Sequence, residues 1–401
     1  GSEVNLFSVN KIKTKWTMAE LLQMLVRLGE KAGNLARIIR AEKTLFELLV
    51  EEKTGEAKNK RFVHDFKTLG DVLIQEMIKH DVGEKFPGIR DHILGEESNM
   101  FTNTAGESVE VTIQSSPEET KLLLTKVLDE NQEAAALLAE ALHATPDTVL
   151  DSRLQDLNFD LDMDNIGIWI DPIDSTSEYI KGIEDEEPKS GVYWHGLQCA
   201  VILIGAFHRE TGSPVLGVVN QPFSKQDPES KSWTGHSFWG VSHGEFHCNS
   251  LPSSQGSSTT PTSRNGLAFT MSASEEAHTK DAFSSLGRVH FASGAGYKIL
   301  CVIEGHVDAY ILTKGSTFKW DTCGPQAILK SLGGGIVDYQ KWKSSSTDAE
   351  NGNFLASAGL KYDKPDSEEP VSEGQKWSNS GGIIAYIDAE VLKKIHGASQ
   401  D

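Results

Sequence analysis

Apolar residues return every three or four positions at Leu21, Leu22, Leu25, Leu28, Ala32, Leu35, Ile38 and Ile39, with charged residues between them. That period is one face of an α-helix and predicts helix over 18–53, with Gly33 as a break between two helices. A second helix starts near Leu69 and carries Asp71, Val72, Ile74, Met77 and Ile78. Continuous apolar runs at 93–95, 166–170, 197–207 and 215–219 read instead as strands, the last closed by Asn220-Gln221-Pro222. Residues 238–241 and 245–248 predict a hairpin around Ser242-His243-Gly244. The stretch 102–165 reads as an insertion with a strand at 108–114, a helical segment over 118–144 and acidic loop after it.

A Ser/Thr/Pro/Gly-rich stretch at 249–264 predicts a mobile loop. Beyond it strands and helices alternate: strands at 267–271, 289–292, 307–312 and 382–387, and helices at 274–286, 296–304 and from about 321 to Gly333-Gly334-Gly335. The polar stretch 341–375 reads as loosely ordered. Such alternation indicates α/β layers, and there is no internal repeat.

Composition narrows the function classes. With 58 acids against 38 Lys and Arg the net charge is −20, which argues against general binding to nucleic acid or an anionic membrane. An anionic substrate would then need bound cations and a few placed bases. No run approaches the roughly 18 apolar residues of a membrane span, and no signal-peptide pattern opens the chain. Cys199, Cys248, Cys301 and Cys323 lie in separate segments without C-x-x-C spacing, so reduced thiols in a cytoplasmic protein are expected. Gly1-Ser2, with no Met before it, reads as a cloning scar, with residues 3–17 a tail and the natural start as late as Met18.

The candidate chemistry lies in Trp169-Ile170-Asp171-Pro172-Ile173-Asp174-Ser175-Thr176. Two carboxylates on a sharp turn, with a Pro between them, can converge on a hard cation. Ser175 and Thr176 would open a helix whose first N–H groups suit a phosphate. The plain alternative is an Asp-Pro turn with a Ser/Thr cap. Glu96, after a strand-like run, Asp71 and Asp321 also stand at the edges of regular elements. Each has its own structural reading: Asp321 as a helix cap, and Glu96-Glu97 as a solvated strand end. Brought together without cations these acids would repel and raise one another's pKa. Two or more Mg²⁺ ions would remove that cost and lower the pKa of a bound water.

Gly95-Glu96-Glu97-Ser98, Asp171-Pro172-Ile173-Asp174-Ser175-Thr176 and Trp320-Asp321, in this order, resemble the lithium-sensitive, magnesium-dependent phosphatases. That family takes in inositol monophosphatases, bisphosphate nucleotidases and fructose-1,6-bisphosphatase relatives. Asp65-Phe66-Lys67-Thr68-Leu69, Gly196-Leu197-Gln198-Cys199, Gly294-Ala295-Gly296-Tyr297-Lys298 and Gly381-Gly382-Ile383-Ile384-Ala385-Tyr386 extend the likeness over residues 18–388. Ser175, where many relatives have Gly, and the 102–165 insertion point to the inositol polyphosphate branch.

The resemblance implies a layered α/β/α/β/α sandwich. It implies a first half over 18–222 with most metal ligands, a second over 223–390 with substrate-binding elements, and a tail at 391–401. It implies two or three Mg²⁺ held by Asp71, Glu96, Asp171, the Ile173 carbonyl, Asp174 and Asp321. Asp71 and Thr176 would orient the attacking water, and Ser175, Thr176, Ser274, Glu275, Gly294, Ala295 and Lys298 would meet the substrate. The implied reaction is removal of the 1-phosphate from inositol 1,4-bisphosphate and inositol 1,3,4-trisphosphate by a cytoplasmic monomer inhibited by Li⁺ and Ca²⁺. A 3′(2′),5′-bisphosphate nucleotidase or a non-catalytic metal- or phosphate-binding relative are the rival readings. In Ser272-Ala273-Ser274-Glu275-Glu276 an acid, Glu276, stands where the family pattern often has Lys, which leaves the second-phosphate contacts open.

Three patterns are set aside. Gly294-x-Gly296 lacks the third Gly and downstream acid of a dinucleotide fingerprint. His236, His243, His247 and Cys248 fit a hairpin better than a zinc site, and no Gly-x-Ser-x-Gly elbow is present.

Overall fold

The side chains of the strand Ile166–Asp174 sort the molecule into layers. Ile168 and Ile170 point to one face of their sheet and Trp169 to the other, each fully buried. A strand buried on both faces carries no polar side, which is why its sequence reads as one apolar run. The computed structural model describes residues 16–42, 50–53, 66–159, 161–184, 186–252, 266–345 and 352–396.

That strand belongs to a six-stranded sheet. Its order is Phe246–Asn249, Trp233–His243, Pro214–Gln226, Val201–His208, Ile166–Asp174 and Ile93–Gly95, antiparallel except for the last pair. The helices Met18–Ala41 and Leu69–Lys85 cover its outer face, with Leu22, Leu25, Ile74 and Ile78 packed on Ile168, Ile202 and Ile204. The opposite face meets the helices Ala295–Ile303 and Lys319–Ser331. Those helices are covered in turn by a five-stranded sheet built from Gly287–Phe291, Leu267–Met271, Ala309–Leu312, Ile383–Tyr386 and Gly335–Asp338. The helices Ala277–Leu286, Tyr339–Ser344 and Ala389–His396 close the far side through Phe283, Trp342, Leu392 and Ile395. The layering is α/β/α/β/α.

The central helix Lys319–Ser331 lies unusually close to the first sheet. Gly205, Gly217 and Gly240 pair across three strands and form a side-chain-free row beneath it. A Cβ on Gly205 or Gly217 would stand 2.3 Å or 2.0 Å from the Gly324 backbone, so no larger residue fits there. This close seat brings Asp321, in the first turn of the helix, to the end of the Ile166–Asp174 strand.

Several expectations change. Gly33 does not break the first helix, which runs unbroken from Met18 to Ala41. A Cβ there would meet Asn220 Oδ1 at 2.4 Å, so this Gly serves a close approach rather than a turn. Val50–Glu52 is a strand paired with Phe66–Thr68, and not helix; residues 43–49 lie outside the described set. The strand expected at 108–114 is confined to Ser108–Glu110. The single helix of 118–144 is two, Pro117–Val127 and Gln132–His143, parted where Asp129 and Glu130 take positive φ.

Pro222 does not end its strand, which continues to Gln226 past a register shift between Gln221 and Lys225. The half-boundary placed at 222/223 therefore falls inside a strand, and the two sheets change over after Asn249. Parts of 341–375 are anchored: Trp342 and Tyr362 are fully buried, and Asp366 pairs with Lys319. The polar composition of this stretch hid a few widely spaced apolar anchors, Trp342, Leu360 and Tyr362, which join the hydrophobic clusters. Residues 253–264 of the 249–264 loop lie outside the described set.

Candidate metal and phosphate site

An ordinary strand sends residues three apart to opposite faces. The register against Val201–His208 shifts within the motif: Asp171 pairs with Leu203, and Asp174 pairs with Val201. Three steps on one strand against two on the other make a bulge, which turns Asp174 onto the side of Asp171. Pro172, which has no N–H to donate, sits in the irregular stretch. Ser175 then adopts φ +68°, ψ 47° at the cap of the helix Thr176–Lys181. A left-handed non-glycine residue costs about 1–2 kcal/mol, so this turn holds strain at the site itself.

Asp71 and Asp321 arrive by a shared device. Each is the third residue of a helix, and its carboxylate turns back onto the N–H of the capping residue. Asp71 accepts from Thr68 N–H and Thr68 Oγ1, both at 2.6 Å, and Asp321 accepts from Phe318 N–H at 2.6 Å. Asp321 is thus inside the helix and not its N-cap. Asp171, Asp174 and Asp321 offer carboxylate oxygens that all lie within 4.8 Å of one another, and all three residues are buried. Thr176 Oγ1 lies 3.1 Å from the Ile173 carbonyl and 3.4 Å from Asp71 Oδ1.

The electrostatics match that crowding. Burial, with Glu96 and the neighbouring aspartates, pushes Asp171 and Asp321 well above the usual carboxylate range. Burial raises Asp174 to about 6 against the pull of Lys298 and the Gly296 N–H, which donates to Asp174 Oδ2 at 2.8 Å. Burial likewise raises Asp71 to about 6 despite its Thr68 bonds. Asp171 Oδ1 is buried without a hydrogen-bond partner. An all-oxygen donor set, crowded and holding an unpartnered carboxylate oxygen, fits a hard divalent cation.

Sequence reading missed Lys53. Its ammonium lies 2.8 Å from Glu96 Oε1 and 2.6 Å from Glu97 Oε1. Glu97 is buried, and burial raises it to about 8 although Lys53 pulls it down. The Glu96-Glu97 pair is therefore no solvated strand end. A lysine more than forty residues away in sequence carries no local signal that marks it as their partner.

Elements of the second sheet form the other wall. Gly294 has φ +79°, and a Cβ on it would meet Asp174 Oδ2 at 2.9 Å, so only Gly allows this turn to touch the end of the Ile166–Asp174 strand. Ala295 opens the helix that follows. Lys298 is buried and not a solvated surface lysine; its Nζ donates to the Ala292 carbonyl at 3.0 Å and lies 5.1 Å from the Tyr310 ring centre. Ser274 is exposed with its hydroxyl 2.9 Å from that of Ser272. Glu275 is buried and both its oxygens accept from Thr313, at 3.1 Å and 2.6 Å, so it shapes the turn beside Ser274.

The inositol monophosphatase family matches residues 18–367. The chain is 43% identical over 379 residues to inositol polyphosphate 1-phosphatase of Mus musculus, covering 92% of this chain and 94% of that one. It is 43% identical over 392 residues to the Homo sapiens protein of the same name, covering 94% and 96%. To 3′(2′),5′-bisphosphate nucleotidase 1 of Rattus norvegicus it is 24% identical over 376 residues, covering 92% and 91%. The chain belongs to the inositol monophosphatase family, and its layered sandwich is the fold expected of a member.

Proposed function

We propose that this chain is a Mg²⁺-dependent phosphomonoesterase that removes the 1-phosphate from inositol 1,4-bisphosphate and inositol 1,3,4-trisphosphate. The observation that carries the chemistry is the buried Asp171/Asp174/Asp321 group with its unpartnered Asp171 oxygen. The observation that favours this substrate class is the 43% identity along nearly the whole chain to inositol polyphosphate 1-phosphatases, against 24% to a nucleotidase.

In this reading Asp71, Glu96, Asp171, the Ile173 carbonyl, Asp174 and Asp321 hold two or three Mg²⁺. When bound, these ions supply Lewis-acid polarisation of the phosphoryl oxygens and a water of lowered pKa. Asp71, clamped by Thr68 at one oxygen, keeps the other toward the Thr176 hydroxyl 3.4 Å away. The pair orients the attacking water, with Thr176 able to accept from it and Asp71 able to take its proton. Ser175 and Thr176 meet the scissile phosphate. Gly294 and Ala295 approach the rest of the substrate through backbone, Ser274 lines that side, and Lys298 supplies positive potential. The enzyme is a cytoplasmic monomer, inhibited by Li⁺ and by Ca²⁺. Among the described residues no helix is long and apolar enough to cross a membrane.

The test is phosphate release from a panel of inositol phosphates and adenosine 3′,5′-bisphosphate, with and without chelator. Fastest turnover of inositol 1,4-bisphosphate, lost in chelator, supports the assignment. Faster cleavage of the adenosine compound replaces it with the nucleotidase reading, and no turnover with Mg²⁺ present leaves a non-catalytic relative.

A further inference from the structure

Glu178 stands four residues beyond Asp174 on the short helix that the Ile166–Asp174 strand feeds, and its side chain is 2% exposed. A buried carboxylate needs partners, and the partners here come from three separate stretches of chain. Its Oε2 accepts the Gly196 N–H at 2.9 Å. Its Oε1 accepts from Ser293 Oγ at 3.2 Å and lies 3.1 Å from Lys181 Nζ. His195 Nδ1 is 3.7 Å from the same oxygen and 3.3 Å from Ser293 Oγ. The ring closes through backbone, because Ser293 N–H donates to the Trp194 carbonyl at 2.9 Å.

This set is no nucleophilic triad. Ser293 and Glu178 both approach His195 through Nδ1, so the imidazole cannot take a proton from one while the other holds its far nitrogen. Nor is Glu178 only the partner of a surface lysine, since Lys181 is half-exposed and occupies one of several contacts. What the network joins is informative. Ser293 immediately precedes the Gly294 turn, whose Gly296 N–H reaches Asp174 Oδ2. The carboxylate thus links the helix after the Ile166–Asp174 strand, the 194–196 loop and the turn offered by the second sheet.

We propose that Glu178 is a positioning residue whose carboxylate sets the 293–296 turn against the Asp174 end of the Ile166–Asp174 strand. It thereby fixes the orientation of an Asp174 oxygen and the wall that receives the part of the substrate beyond the scissile phosphate. The kinetic consequence rests on the phosphatase reading above; the structural one does not.

The experiment compares the full-length wild type with Glu178→Gln, which keeps shape and removes charge, with Ser293→Ala, and with the double variant. Hydrogen–deuterium exchange is read over 194–197 and 293–297, with the core segment 299–302 as internal control. Faster exchange in the first two segments, with the control unchanged, is expected for Glu178→Gln. In turnover, kcat/KM for inositol 1,4-bisphosphate should fall by about tenfold or more, the range seen when a group orienting a metal ligand is removed. The KM rise should be smaller for p-nitrophenyl phosphate, which lacks the second phosphate and the ring hydroxyls that the turn would receive. The double variant should be no worse than Glu178→Gln alone, because both act through one contact. Unchanged exchange in both segments, equal losses on both substrates, or additive losses overturn the proposal. A wild type without phosphatase activity overturns the functional reading instead, and exchange alone then decides: acceleration in Glu178→Gln upholds the positioning role, and its absence ends it.

Discussion

Two groups of acids stand beside the end of the Ile166–Asp174 strand, and the chain treats them differently. Glu96 and Glu97 are bridged by the Lys53 ammonium, at 2.8 Å and 2.6 Å. Asp174 and Asp321 are oriented by backbone, through the Gly296 N–H and the Phe318 N–H, and Asp171 Oδ1 has no hydrogen-bond partner. Amides fix the direction of a carboxylate without cancelling its charge, whereas an ammonium does both. Orientation without neutralisation is what distinguishes a group prepared for an added cation from one that balances itself. Glu96 connects the two, since its charge is felt by Asp71 and by all three aspartates.

The sharpest way to break the comparison is to remove charge from the aspartate side. Asp171→Asn and Asp174→Asn should each cut Mg²⁺-dependent phosphate release by well over about a hundredfold, since even groups behind the ligands cost 10–100-fold when removed. Turnover at the wild-type rate would show that the group is structural. Asp71→Ala comes next. Steady-state kinetics should show kcat down by about a hundredfold with KM little changed, the signature of a lost water-orienting base. A change confined to KM would make Asp71 a binding residue only.

Much of this was legible beforehand, and the rest failed for identifiable reasons. The Asp171-Pro172-Ile173-Asp174 stretch announced itself because an apolar strand ends in paired acids and a Pro. The bulge that makes those acids converge is a property of pairing with Val201–His208, which no single segment encodes. Gly33 was misread because Gly in a helical pattern signals either a break or a close neighbour, and Asn220 is far away in sequence. The glycine row under the Lys319–Ser331 helix was invisible for a similar reason, as Gly205, Gly217 and Gly240 align only once the register is known. Lys53 and Glu178 were missed because their importance lies wholly in long-range partners. Tyr362 and Asp366 sit in a stretch whose polar composition suggested looseness, yet one is fully buried and the other pairs with Lys319.

The pH dependence of stability gives a subtler handle. Asp71 and Asp174 rise from 3.8 to about 6 on folding, so the folded chain binds their protons more tightly than the unfolded chain does. Their contribution to stability is present below pH 4 and is lost as the pH rises through about 6. In chelator, the melting temperature of wild type relative to Asp174→Asn should therefore decline across that window. Saturating Mg²⁺ should remove the decline, since a cation stabilises the ionised form. A relative melting temperature that rises with pH in chelator would contradict the assignment of these groups.

The smallest effect on turnover is expected from the self-balanced side. Lys53→Met leaves Glu97 buried beside Glu96 without its ammonium, and loss of one partner of a buried pair costs about 3–5 kcal/mol. Chelated protein should lose stability accordingly in a denaturant titration. Mg²⁺ should restore more of that loss than it adds to wild type, because it then faces no competing ammonium at Glu96. Equal Mg²⁺ increments in both proteins would mean that Lys53 does not compete with the cation.

The central claim, that the aspartate group binds a divalent cation, is tested most directly by calorimetric titration of Mg²⁺ into wild type and Asp171→Asn. The account predicts saturable binding by the wild type and its loss in the variant, with the fold retained by circular dichroism. Equal binding by the two proteins, or none by the wild type, would contradict it.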